Sequence, residues 1–178
     1  EHPAQLSMQF QDLSLRSLTE SATGEPGYLE SSLSGEVRLS MPPSDPLRAS
    51  GDFELVGRPF GDSAAGGYNL ELSAQGVLDE GTLTLSASHF DTGSTTASLS
   101  GLYPWSGAAE LSVEIGSSDL READHLQQIL RGLLHPGESV SLLSLEGSGD
   151  VSGVLTGRMP ALTFHGRFRG ADVRFRDV

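Results

Sequence analysis

Apolar and small polar residues alternate along most of this chain, most regularly between Gly66 and Ile115. Four alternating runs in this stretch are separated by three turn sequences, Asp79-Glu80-Gly81, Asp91-Thr92-Gly93 and Pro104-Trp105-Ser106-Gly107. Successive side chains of a β-strand point to opposite faces of its sheet. The period of two therefore predicts an antiparallel meander with one apolar face and one polar face.

The apolar positions of these runs and of the C-terminal run are predicted to share one face. Similar alternation elsewhere brings the expected total to ten to twelve strands, which is far above ordinary strand content. Such an excess favours a sandwich, a barrel or an open repetitive sheet. The residues expected to line the shared face are Leu70, Leu72, Leu83, Leu85, Leu99, Leu111, Val113, Ile115, Leu162, Phe164 and Phe168.

Two local assignments depend on the same alternation. The run Leu13 to Leu18 alternates and is predicted as a short strand, and Ala87 is placed on the same face as Leu83 and Leu85.

One segment breaks the period of two and predicts a single amphipathic helix over residues 119–135. Apolar residues recur there at steps of three and four residues, which is the spacing of one helix face: Leu120, Ala123, Leu126, Leu130 and Leu133 or Leu134. Asp119 and Glu122 occupy the N-cap and N3 positions of a capping box. Pro136-Gly137 is expected to end the helix.

Charge and composition narrow the functional classes. The net charge is −13, which argues against a nucleic-acid partner because phosphate binding requires a basic surface. Residues 158–178 carry a balance of +3, so residues 1–157 carry −16. The alternating arginines near the C-terminus are interpreted first as a solvated strand face, with head-group binding as the alternative. The chain has no cysteine, which excludes disulfides and thiolate metal sites.

Candidate chemistry is sparse. His89 and Asp91 are two residues apart on one strand, but two ligands are too few for a typical metal site. The chain contains neither Gly-x-Ser-x-Gly nor His-Glu-x-x-His, and Gly147-Ser148-Gly149 lacks the third glycine of a dinucleotide fingerprint. The sequence therefore predicts a protein that is not an enzyme and uses no cofactor or metal.

Glycine recurs inside the predicted strands in the pattern apolar-x-Gly-x-apolar. Ser-Leu-Ser-Gly occurs at 32–35 and 98–101, and looser versions include Phe164-His165-Gly166-Arg167-Phe168. Glycine within a strand marks a bend or a close approach of another group. These motifs resemble the TamB family of the AsmA-like superfamily over roughly residues 50–178. Three segments carry the resemblance: Phe90 to Gly101, the run from Leu111 into the helix, and Leu145 to Val173.

The resemblance implies an elongated antiparallel β-sheet curved into a U-shaped taco with a hydrophobic groove. TamB-like proteins are periplasmic and anchored in the inner membrane, and they carry phospholipid toward the outer membrane with a β-barrel partner there. The implied ligand is phospholipid, held along the groove residues given above. Membrane contact would come from parts of the parent protein outside this chain.

Residues 1–178 are expected to form a single β-rich segment of a longer repetitive protein, with 1–60 and 61–178 as candidate sub-repeats. Spacing alone leaves a second interpretation open. A structural or adhesive extracellular β-sandwich would bury the same apolar positions in its own closed core and bind no lipid.

Overall fold

The fold consists of eleven strands and two helices within the described part of the chain. The computed structural model describes residues 3–23, 28–43, 45, 48–60, 67–134, 144–158 and 161–175. The strands are β1 (Ala4–Ser14), β2 (Leu29–Glu30), β3 (Ser32–Met41), β4 (Ser50–Arg58), β5 (Tyr68–Asn69), β6 (Glu71–Asp79), β7 (Thr82–Asp91), β8 (Thr95–Pro104), β9 (Ala109–Ser117), β10 (Leu145–Arg158) and β11 (Ala161–Phe175); the helices are α1 (Leu15–Thr23) and α2 (Leu120–Leu134).

Nine of the strands form one antiparallel sheet in the order β1-β3-β4-β6-β7-β8-β9-β10-β11. The sheet does not close into a barrel, because β1 and β11 are its two edges. The remaining strands, β2 and β5, form a short parallel pair. The predicted mostly β, antiparallel architecture is therefore confirmed.

Local turn chemistry explains why the sheet is a meander. Between β6 and β7 the loop is the pair Glu80-Gly81, with φ of 43° and 80°. Two positive φ values in a two-residue loop are typical of a type I′ turn, whose twist matches that of the flanking strands. The turn pairs Asp79 with Thr82 and so fixes the register of the central hairpin.

The first helix was not predicted, and the expectation of a strand over Leu13 to Leu18 is wrong beyond Ser14. The Ser14 Oγ accepts a hydrogen bond of 3.2 Å from the Ser17 backbone N–H, which is the N-cap interaction that starts a helix. Arg16 and Glu20 then form an i,i+4 ion pair of 3.4 Å. These local interactions favour helix over strand from Leu15 onward.

The second helix is confirmed: it begins at Leu120, one residue after the predicted start, and is described as far as Leu134. Its predicted capping box is incomplete. Asp119 Oδ1 accepts the Arg121 backbone N–H at 3.1 Å, so Asp119 is the N-cap. Glu122 is turned away from the cap and accepts a short hydrogen bond from the Thr92 hydroxyl. It thereby joins α2 to the β7–β8 turn. The predicted helix end at Pro136-Gly137 lies outside the described residues.

Both helices lie at one end of the sheet, where a small closed core forms. Leu29, Leu70 and Leu126 are 2–4% exposed and make up this core. Leu15 of α1, Leu72 of β6 and Phe90 of β7 are among the partly buried residues packed against it. We call this region the helix-capped end, and the opposite end, which contains the β6–β7 and β8–β9 turns, the open end.

Candidate functional site

Strand pairing brings the apolar positions of all nine strands onto one face of the sheet, which we call the apolar face. One row crosses the whole sheet through directly paired residues: Met8, Val37, Phe53, Gly76, Leu85, Gly101, Leu111, Leu155 and Phe164. No member of this row carries a charge. The neighbouring row on the outer face is mostly polar: Ser7, Arg38, Asp52, Val77, Thr84, Leu102, Glu110, Thr156 and Thr163.

Ten of the eleven predicted lining residues lie on the apolar face, and Leu70 does not. The ten are Leu72, Leu83, Leu85, Leu99, Leu111, Val113, Ile115, Leu162, Phe164 and Phe168. Leu70 falls between β5 and β6 and is 2% exposed in the closed core. Its backbone N–H bonds the Glu30 carbonyl at 3.1 Å, which ties it to the helix-capped end.

The predicted placement of Ala87 is wrong because β7 contains a register shift. Leu85 pairs with Gly101, whereas the next described pair is Ser88 with Leu99. Between these two pairs, β7 has two residues and β8 has one, which is the geometry of a bulge. Beyond the bulge Ser88 and Phe90 take the apolar face in place of Ala87.

Exposure on the apolar face changes from the middle of the sheet to its edges. Leu78 and Leu111, on inner strands, are 9% and 7% exposed. On the edge strands, Met8 of β1 is 49% exposed and Phe168 of β11 is 54% exposed. The chain thus covers the middle of its apolar face and leaves both edges open to solvent.

Glycines on the apolar face, among them Gly149 of the repeat, make room for aromatic rings. A methyl group added at Gly76 would lie 2.6 Å from Cε1 of Phe53, its partner on β4. At Gly149 the added methyl would lie 2.7 Å from Cε2 of Phe168 on β11. The rings therefore lie flat across the glycines, a known way of stabilising glycine in strands. This arrangement confirms the close approach that the repeat predicted.

A small recess lies at the open end of the sheet. Its volume is about 180 Å³, and it is lined by Val37, Leu39, Asp52, Phe53, Leu78, Leu83 and Trp105. Trp105 follows β8, but its backbone N–H bonds the Gly81 carbonyl in the β6–β7 turn at 2.9 Å. This hydrogen bond holds Trp105 beside the β6–β7 turn, at the edge of the recess.

The polar candidates lie elsewhere. Asp91 Oδ1 accepts the Gly93 backbone N–H at 2.5 Å, so its carboxylate serves the β7–β8 turn. His89 pairs with Ser98 on the outer face. Within the described residues, no group of three or more His, Asp or Glu side chains is arranged to hold a metal.

The arginines of β11 follow the alternation and occupy the outer face. Arg167 pairs with Ser152 and Arg169 with Asp150. Arg174, beyond a register shift, pairs with Glu146. All three are exposed, so this edge of the sheet combines aromatic rings on the apolar face with cations on the outer face.

Electrostatic effects concentrate at the helix-capped end. The Tyr68 hydroxyl lies 2.8 Å from His125 Nδ1, and burial, followed by the nearby Glu122 and Asp119 carboxylates, raises the pKa of Tyr68. The side-chain hydrogen bond from Arg121 lowers the pKa of Asp119 despite partial burial. These interactions hold α2 in place and do not extend to the apolar face.

No family model, curated protein or solved structure matches this chain. The TamB resemblance therefore stays a prediction. Among the described helices, none combines the length and apolar character needed to cross a membrane.

Proposed function

We propose that this chain binds phospholipid acyl chains along its apolar face, as a segment of a TamB-like bridge between two membranes. The observation that carries the proposal is the unbroken uncharged face across nine strands, left exposed at both edges. A sandwich would divide its strands between two facing sheets, whereas nine of the described strands here form one sheet. Acyl chains would supply the second apolar layer.

The energetics favour a lipid with two chains. Each buried methylene contributes about 0.8 kcal/mol, so a stretch of about ten methylenes contributes roughly 8 kcal/mol. That gain is similar to the loss of translational and rotational freedom on binding, about 4–15 kcal/mol. A second chain on the same face roughly doubles the gain without doubling this cost.

The exposed edges are where head groups would remain in water. The acidic side chains of the sheet lie on its outer face, so they do not contact an acyl chain on the apolar face. Under this proposal the parent protein works in the periplasm, is anchored in the inner membrane, and meets an outer-membrane β-barrel partner. These parts of the proposal rest on the resemblance alone.

Lipid photocrosslinking with paired variants tests the proposal. Leu85→Glu and Val113→Glu place a carboxylate on the apolar face, and Thr84→Glu and Ser112→Glu place one on the adjacent outer face. We expect the first pair to lose crosslinking to a photoreactive phosphatidylethanolamine while remaining folded and expressed. The outer-face pair should crosslink as the unchanged protein does.

A core control separates lost binding from lost folding. Leu70→Glu buries a charge in the closed core and should unfold the protein. If Leu85→Glu and Val113→Glu also unfold it, these positions are structural core and the proposal fails. The protein would then fit the alternative of a structural β-domain that binds no lipid.

A further inference from the structure

The proposed function assigns no specific role to the recess beside Trp105. It lies at the open end, away from the helices, and five of its lining residues belong to the apolar face: Val37, Leu39, Phe53, Leu78 and Leu83. Gly51 pairs with both Leu39 and Leu78, so no side chain stands between them in that row.

The recess offers its occupant almost no polar partner. Asp52 is the one charged residue in the lining, and it belongs to the outer-face row. Its carboxylate lies 3.6 Å from the Arg38 guanidinium, which is also on the outer face. The indole N–H of Trp105 is the one other polar side-chain group in the lining. A hydroxyl, ester or amide that does not reach it would lose hydration without a replacement hydrogen bond, at a cost of roughly 2–7 kcal/mol. The chemistry therefore selects hydrocarbon.

The volume of the recess further limits which ligands can occupy it. The recess, at about 180 Å³, has room for a few methylenes and a methyl group, but not for a whole lipid. Trp105 is 46% exposed, and its backbone N–H bonds the Gly81 carbonyl at 2.9 Å, which fixes the turn at the mouth of the recess.

We propose that this recess binds the methyl end of an acyl chain whose remainder lies along the apolar face. The inference rests on the proposed function and adds a direction to it, because the chain end is placed at the open end of the sheet. The shared chemistry is a linear hydrocarbon end, supplied either by a phospholipid or by a free fatty acid.

Trp105 provides a direct test, because it is the single tryptophan in the chain. Bromine quenches tryptophan fluorescence only at close range. The probes are phosphatidylcholine brominated near the methyl end of one chain, the same lipid brominated near the carbonyl, and a fatty acid brominated near its methyl end. We expect loss of Trp105 fluorescence with bromine near the methyl end and little change with bromine near the carbonyl. Comparing the phospholipid with the fatty acid identifies the source of the chain.

Filling the recess provides the matched variants. Val37→Phe and Leu83→Phe should each reduce quenching by the methyl-end probe, while Leu102→Phe, on the outer face near the same turn, should not. Circular dichroism and the amount of lipid bound per protein are measured on every sample. Quenching is compared at equal amounts of bound lipid, so a folded variant that loses quenching by the lipid it still binds supports the assignment.

The outcomes separate this inference from the groove itself. If lipid binds but carbonyl-end bromine quenches Trp105 as strongly as methyl-end bromine, the inference is wrong and the groove stands. If bound lipid quenches Trp105 with neither probe, the inference is again wrong. If none of the three probes binds the folded protein, the proposed function and the inference both fail.

Discussion

The helix-capped end and the two edge strands of the same sheet bury their apolar residues to opposite extents. At the helix-capped end, α1, α2 and the β2–β5 pair cover Leu29, Leu70 and Leu126, which are at most 4% exposed. On the edge strands, Leu6 and Met8 remain 49% exposed and Phe168 54% exposed. The first arrangement stabilises the fold, whereas the second leaves apolar surface exposed to solvent, where the proposed ligand would bind.

The largest expected difference between these regions is in the cost of truncating a leucine. Leu70→Ala should lower the free energy of unfolding by about 2–5 kcal/mol, because it leaves a cavity in a closed core. Leu6→Ala, on the exposed edge strand, should change it by about 0.5 kcal/mol or less. Urea denaturation followed by circular dichroism measures both. Equal effects would mean that the edge is covered in solution and that the comparison is wrong.

Glycine packing on the apolar face is expected to have the next largest effect. Gly76→Ala should destabilise the protein by about 1–3 kcal/mol, because the added methyl meets the Phe53 ring and the Thr84 carbonyl oxygen, which is 2.9 Å away. Part of this loss should be recovered in Gly76→Ala/Phe53→Leu, measured as a double-mutant cycle. Strict additivity of the two substitutions would show that the ring does not depend on this glycine.

The N-cap of α2 should contribute less to the free energy of unfolding than the glycine packing does. Asp119→Ala removes the acceptor for the Arg121 backbone N–H and should cost about 1 kcal/mol of unfolding free energy. Asn is also a good N-cap, so Asp119→Asn should retain most of that stability at neutral pH. Thermal unfolding of the two variants compares them. If Asp119→Asn is as unstable as Asp119→Ala, the carboxylate acts through its charge rather than as a cap.

The smallest expected effect is the pH dependence of the stability that Asp119 contributes. The hydrogen bond from Arg121 lowers the pKa of Asp119 below its ordinary value of 3.8. Its contribution to stability is therefore present above that ordinary value and is lost as the pH falls through the lowered pKa of the folded state. Denaturation at a series of pH values should show the stability gap between the unchanged protein and Asp119→Asn narrowing below about pH 4. A gap that widens on acidification contradicts this sign.

Alternation predicted most of the sheet because a period of two records which side of a strand each residue faces. It placed ten of the eleven predicted lining residues together without any tertiary information. The misses are positions where one local interaction changes that period. Ser14 caps a helix where alternation predicted a strand, and a bulge in β7 exchanges Ala87 for Ser88 and Phe90. The Ser14 cap and the Arg16–Glu20 spacing were the available signals for α1.

Leu70 shows a different limit. Its parity agrees with that of Leu72, but alternation does not reveal where a strand leaves the sheet to meet a helix. The recess beside Trp105 also depends on a contact between turns, because the Trp105 backbone N–H bonds Gly81 in the β6–β7 turn. Neither contact follows from spacing along the chain.

Native mass spectrometry of the protein purified without detergent tests the central claim most directly. The account predicts a folded protein that carries phospholipid, and the adduct should be absent in Leu85→Glu and present in Thr84→Glu. A lipid-free monomer that unfolds in one cooperative transition, and that takes up no phospholipid when it is supplied, would contradict the account.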